Sequence, residues 1–148
     1  MRHNVLTEGW NISGSGNSIV RNEGGRWHVD GEGHIVRSNR ITHGLVLAAS
    51  GTLVRDNTVS NSANPFGPEP DGIFVPAGAT DNALVGNSAS GTGDDGIDVE
   101  EPSTTLGRNR AFANADLGIE AVAGVIDAGD NRAWDNGNPP QCLNVDCQ

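Results

Sequence analysis

The sequence has no lysine and no tyrosine, one methionine, and only three tryptophans and three phenylalanines among 148 residues. All nine basic residues are arginine, against 19 acidic ones, and the formal charge is −10. A chain so acidic repels nucleic acid and anionic membrane, so neither is an expected partner. The longest apolar run, in "GLVLAA", is strand-sized and far short of a membrane span. The first residues, "MRHNVLTEGWN", lack the apolar core of a signal peptide. No G-x-S-x-G turn is present to strain a serine nucleophile. Regular Thr-x-Thr arrays, which ice binding would need, are also missing. His3, His28, His34 and His43 are not spaced with the cysteines as zinc ligands would be.

The two cysteines, Cys142 and Cys147, fall in the closing "QCLNVDCQ". They predict a small terminal disulfide rather than free thiols, and a disulfide implies export. The expected location is therefore secreted or on a bacterial cell surface. Without a signal segment, the chain reads as a mature form or as the C-terminal part of a longer protein.

Glycine and asparagine are abundant. "NSIVRN" begins at Asn17, "NRITHG" at Asn39, "NTVSNS" at Asn57, "NSASGT" at Asn87, "NRAFAN" at Asn109 and "NRAWDN" at Asn131, at intervals of 22, 18, 30, 22 and 22. A repeat of this length means stacked units that cannot bury an apolar face alone. A second register, "HGLVLA", "DGIFVPA", "DGIDVEE" and "LGIEAVA", places glycine before an apolar-x-apolar triplet. Alternation at period two marks a strand with one buried face. With 21 glycines and no sustained i, i+3, i+4 stripe, helix is excluded. Recurrent asparagines suit a turn repeated in every unit, because the side chain tolerates left-handed geometry and both donates and accepts. The predicted fold is all-β, a right-handed parallel β-helix (solenoid) of about six rungs, formed by residues 1–148 as one domain.

These features resemble the pectate-lyase-like superfamily of right-handed parallel β-helices. The ~22-residue unit, the asparagine ladder and the "DGIDV" strands are similar to the repeat regions of NosD-like and polysaccharide-active proteins. The resemblance covers the chain from Asn17 onward. "GDDGI" also resembles the "GDD" strand motif of polygalacturonase-type hydrolases, which would make Asp94 and Asp95 a catalytic pair. The second aspartate motif and the "GHG" motif of those hydrolases are absent. Lyases of this superfamily use a lysine or arginine base beside bound calcium, and here the arginines lie off this face.

Aligning Gly44, Gly72, Gly96 and Gly118 predicts which side chains point outward. Leu45, Ile73, Ile97 and Ile119 fall inward, as do Leu47, Val75, Val99 and Ala121. Val46, Phe74, Asp98 and Glu120 fall outward, with His28 ahead of them. Gly96 is expected to turn the chain. Immediately before the glycines stand His43, Asp71, Asp95 and Leu117. Asp98 and Glu120 should therefore be neighbours ~4.8 Å apart. Asp71 and Asp95 should form a second pair beside His43, with Glu100 and Glu101 extending the patch. Like charges facing each other across strands are destabilising, so a shared proton, an arginine or a metal is expected to offset them.

The expected catalytic set is His43, Asp71, Asp95, Asp98 and Glu120, since paired carboxylates suit acid and base work on a glycosidic bond. The expected metal ligands are Asp94, Asp95, Asp98 and Glu100, all oxygen donors, so Ca²⁺ is the cofactor they suit. The expected function is recognition or modification of an extracellular polysaccharide by a lyase- or hydrolase-like site. The alternative is a non-catalytic structural, carbohydrate-binding or calcium-binding module. The Pro-rich "SANPFGPEP" insertion is expected to lid the site, with Phe66 against Phe74. Pro139, Pro140 and the cysteine loop are expected to cap the C-terminal end. The N-terminal end shows no comparable cap, which predicts either self-association through the first rungs or closure by Trp10 and Ile12.

Overall fold

The computed structural model describes residues 1, 4, 5, 9–60 and 71–148. Among them there is no helix, and every strand pairs in parallel with its counterpart one coil away. The result is a right-handed parallel β-helix of three six-stranded sheets. The first sheet stacks Trp10–Ile12, Trp27–Val29, Leu45–Leu47, Ile73–Val75, Ile97–Val99 and Ile119–Ala121. The second sheet runs from Ser18–Val20 to Ile126–Gly129, and the third from Glu23–Gly24 to Arg132–Trp134.

Strands of two to four residues hold only because alternate side chains meet in one core. The inward columns of the first sheet are as the glycine alignment predicts. Leu45, Ile73, Ile97 and Ile119 are at most 1% exposed. The second sheet adds Ile19, Val36, Val54, Leu84 and Leu106, and the third adds Ile41, Val59, Ala89 and Ala111. Trp10 and Trp27 stack at 4.8 Å with their planes 3° apart, and both are buried.

The asparagine ladder exists, but its first member differs from the expectation. Asn22, Asn39, Asn57, Asn87, Asn109 and Asn131 form one buried column, spaced 17, 18, 30, 22 and 22 residues apart. Asn17 lies in another column, where its backbone N–H donates to His34 Nδ1 at 3.1 Å. The first coils are short, so the interval of 22 from Asn17 to Asn39 joins two different corners. His34 and Thr52 continue the Asn17 column, each accepting the backbone N–H of the coil before. Thr92, Asn114 and Asn136 staple the third corner in the same way.

Gly96 also has a different task from the one expected. Its φ is not positive, so it makes no turn that other residues would avoid. It is glycine because a Cβ there would lie 2.6 Å from both Gly118 O and Asn114 Nδ2, and 2.9 Å from Ala111 Cβ. Gly96→Ala should therefore force two coils apart and lower stability by about 1–3 kcal/mol. A shifted urea midpoint with unchanged slope is the expected reading; a wild-type midpoint would refute this account.

The C-terminal tail covers the last coil. Cys142 bridges to Ile119 and Cys147 to Asn131, and the two cysteines form the expected disulfide. Both pack against the core beside Val145.

Candidate functional site

The first sheet presents one outward column in register: His28, Val46, Phe74, Asp98 and Glu120. All five are partly exposed. Asp98 and Glu120 are direct neighbours across parallel strands, as the spacing predicts. Phe66 and the rest of the Pro-rich insertion expected to lid this column lie outside the described residues.

The position before the glycine behaves differently from a surface column. Asp71 and Asp95 are each only 5% exposed. Asp71 Oδ1 accepts the Asp95 backbone N–H at 3.0 Å, and Asp95 Oδ1 accepts that of Leu117 at 2.7 Å. Each carboxylate thus holds the backbone of the next coil, a role the sequence reading did not assign. His43 occupies the equivalent place one coil earlier but is exposed. Its Nδ1 lies 3.0 Å from Thr42 Oγ1, within its own turn.

Burial dominates the chemistry of Asp95. It pushes the carboxyl up to about 8, against the lowering effect of the Leu117 N–H. A hydrogen bond with Glu120 and the charges of Asp71 and Glu120 push the same way. Asp94 is raised too, first by burial and then by Asp116 and Glu120. The raised carboxyl of Asp95 thus sits beside Glu120 within the acidic patch.

The predicted metal ligands separate. Asp94 and Asp95 have carboxylate oxygens within 4.8 Å of one another, and the third member of their group is Asp116. Asp98 and Glu100 are not part of it. Asp98 projects from the pleat of its strand, and Glu100 is exposed beyond the strand end. Glu101 is engaged elsewhere, accepting the backbone N–H groups of Gly78 and Ser103 and the Ser103 hydroxyl. Those bonds hold its carboxyl below the usual range. Sequence reasoning missed Asp116. The signal was the repeat itself, since Asp116 occupies in its coil the place of Asp94, to whose carbonyl it donates its backbone N–H at 3.1 Å.

His28, His34 and His43 do not converge, and His3 lies outside the described residues. Among the described residues, no group of three or more His, Cys, Asp or Glu side chains placed to share an ion contains a histidine. His34 is 1% exposed, with Asn17 on one ring nitrogen and the Asp30 carbonyl on the other. His28 Nε2 lies 3.1 Å from Asp30 Oδ1.

Fold and face together define the class, a right-handed parallel β-helix carrying carboxylates on one sheet. The family follows directly: residues 1–137 match the family described as periplasmic copper-binding protein (NosD), and the chain belongs to that family. No curated protein and no solved structure matches it.

Proposed function

We propose that this chain works outside the cytoplasm on a polysaccharide, with the acidic face of the first sheet as its site. The observation that carries the reading is the Asp95–Glu120 pair. One carboxyl is held protonated near neutral pH by burial, beside another that is partly exposed. A carboxyl raised in this way, beside a second and more exposed one, suits a general acid working with a base. Asp95 is the acid in this reading, and Glu120, with Asp98 beside it, faces the substrate. The family's description as periplasmic and the Cys142–Cys147 disulfide support a compartment outside the cytoplasm.

Copper, which the family description names, does not fit the described donors. Copper favours imidazole, thiolate and thioether ligands. The cysteines are bonded to each other, and among the described residues the histidines are apart and the one cluster is Asp94, Asp95 and Asp116. Oxygen donors alone suit a hard cation such as Ca²⁺. In this reading Ca²⁺ is an auxiliary at those three carboxylates.

A non-catalytic binding module is the second reading. It is favoured by the structural bonds that Asp71 and Asp95 already make to backbone.

The two separate on a panel of plant, algal and bacterial polysaccharides, incubated with and without Ca²⁺ and analysed by product mass. Cleavage is expected, and Glu120→Gln should lower its rate by ~10²-fold or more while leaving the fold intact. Product masses then tell hydrolysis from elimination, which differ by one water. No product from any substrate would establish the binding module instead.

A further inference from the structure

Seven of the nine arginines gather on the corner between the second and third sheets, away from the acidic face. Arg21, Arg37, Arg40 and Arg55 lie on the earlier coils, and Arg108, Arg110 and Arg132 on the last two complete ones. Every one is exposed and stands within two residues of a ladder asparagine. The ladder thus holds them in a file along the helix axis. In a chain of charge −10, Arg26 is the one other arginine among the described residues.

The arrangement carries an electrostatic cost. Arg37 faces Arg55 across neighbouring strands, and Arg110 faces Arg132. Like charges so placed oppose pairing. Two exposed ion pairs relieve part of it, Arg55–Asp56 at 3.0 Å and Arg40–Glu23 at 3.7 Å. Among the described residues, Arg108, Arg110 and Arg132 make no ion pair.

Space opens beneath these three. The turn position held by Arg21, Ser38, Asp56 and Arg108 is glycine at Gly86, and the strand position held by Arg37 and Arg55 is glycine at Gly107. A cavity of about 500 Å³ lies there, with Arg55, Arg108 and Arg110 in its wall. A second, of about 310 Å³, is lined by Arg108, Arg110, Asp130 and Arg132.

An independent feature continues the same face. Two residues beyond Arg110 and Arg132 on their strands, Phe112 and Trp134 stack at 4.8 Å with their planes 6° apart. Alternation along a strand puts all four side chains on the outward side of the third sheet. Trp134 is 40% exposed, and among the described residues Phe112 is its one ring partner.

We propose that this corner and the adjoining Phe112–Trp134 platform bind an acidic polysaccharide, a sugar chain bearing carboxylate or sulfate groups. Guanidinium forks engage such anions bidentately, which a neutral chain cannot exploit. The aromatic platform takes the apolar face of a sugar ring. Nucleic acid is disfavoured by its charge density, one charge per ~1.7 Å of duplex, against a protein that is strongly negative beyond this corner. The site is separate from the Asp95–Glu120 face and stands whether or not that face is catalytic.

Electrophoresis through native gels containing polygalacturonate, dextran sulfate or neutral dextran tests this, with a gel shift of single-stranded DNA in parallel. Retardation is expected with at least one of the two anionic polysaccharides, and whichever retards more names the anion. Neutral dextran should have no effect. The double variant Arg110→Gln/Arg132→Gln should weaken binding by ~10-fold or more. Trp134→Ala should weaken it several-fold, with recovery in Trp134→Phe, while Arg26→Gln leaves it unchanged. All substituted positions are exposed or half-exposed, so circular dichroism should match the wild type. The proposal is overturned if neither anionic polysaccharide retards the protein, or if the arginine pair is without effect. It is equally overturned if DNA binds as tightly and Trp134→Ala is silent, which would make the corner an unselective polyanion patch.

Discussion

Asn109→Ala is expected to destabilise the fold by at least ~3 kcal/mol, a large share of the ~5–15 kcal/mol that holds a domain of this kind together. The Asn109 side chain is fully buried. Its Nδ2 donates to Leu84 O at 2.9 Å and to Asn131 Oδ1 at 3.2 Å. Its Oδ1 accepts the Asn87 backbone N–H at 3.0 Å and Asn87 Nδ2 at 3.2 Å. Truncation leaves the Asn87 backbone N–H without its acceptor and takes a donor from the Leu84 carbonyl, in a corner water does not reach. Each such loss costs about 1–3 kcal/mol. Asn17→Ala is the control, because Asn17 is half-exposed and outside the ladder. Its loss should be well under half as large. Urea midpoints of the two variants decide the matter, and equal losses would show that the ladder has no special weight.

Asp95→Asn is expected to remove much of the pH dependence of stability between pH 4 and 8. The native carboxyl is raised from 3.8 to about 8. Between those values the folded chain keeps a proton that the unfolded chain releases. Stability therefore falls as pH rises through this window, by up to ~1.4 kcal/mol per unit, and levels off above about 8. Asp94, also raised, acts in the same direction, whereas the lowered Glu101 acts in the opposite one and only as pH falls toward its own range. An asparagine at position 95 mimics the protonated form and keeps an oxygen for the Leu117 N–H. The variant should match the wild type near pH 4 and exceed it at pH 8. Thermal midpoints at unit steps of pH give the comparison. Parallel curves would mean that Asp95 titrates normally.

Much of the fold was legible because strand alternation and glycine placement are local signals. The inward column of Leu45, Ile73, Ile97 and Ile119 follows from those alone. The ladder's first member was not legible, since Asn17 and Asn22 both look like turn asparagines. Only the length of the first coil, set by Trp10 pairing with Trp27, separates them. The outward neighbours Asp98 and Glu120 were readable from parity. The burial of Asp71 and Asp95 was not, because it depends on a backbone N–H of the following coil. Asp116 was in reach of the repeat, one coil past Asp94, but its partnership with Asp94 and Asp95 is a matter of three dimensions. The charge segregation that moves the arginines to one corner was half visible, as arginines flanking asparagines in "RNRA" and "DNRA".

The uneven coils, 17 residues in one place and 30 in another, meet the same ladder at every step. The ladder, and not the number of residues between its members, therefore sets the register of this molecule. Deleting one residue inside a strand turns the side chains that follow to the wrong face. Deleting 22, from one ladder asparagine to the next, rejoins equivalent points and leaves a shorter object of the same kind. In such a protein the large excision is the milder lesion.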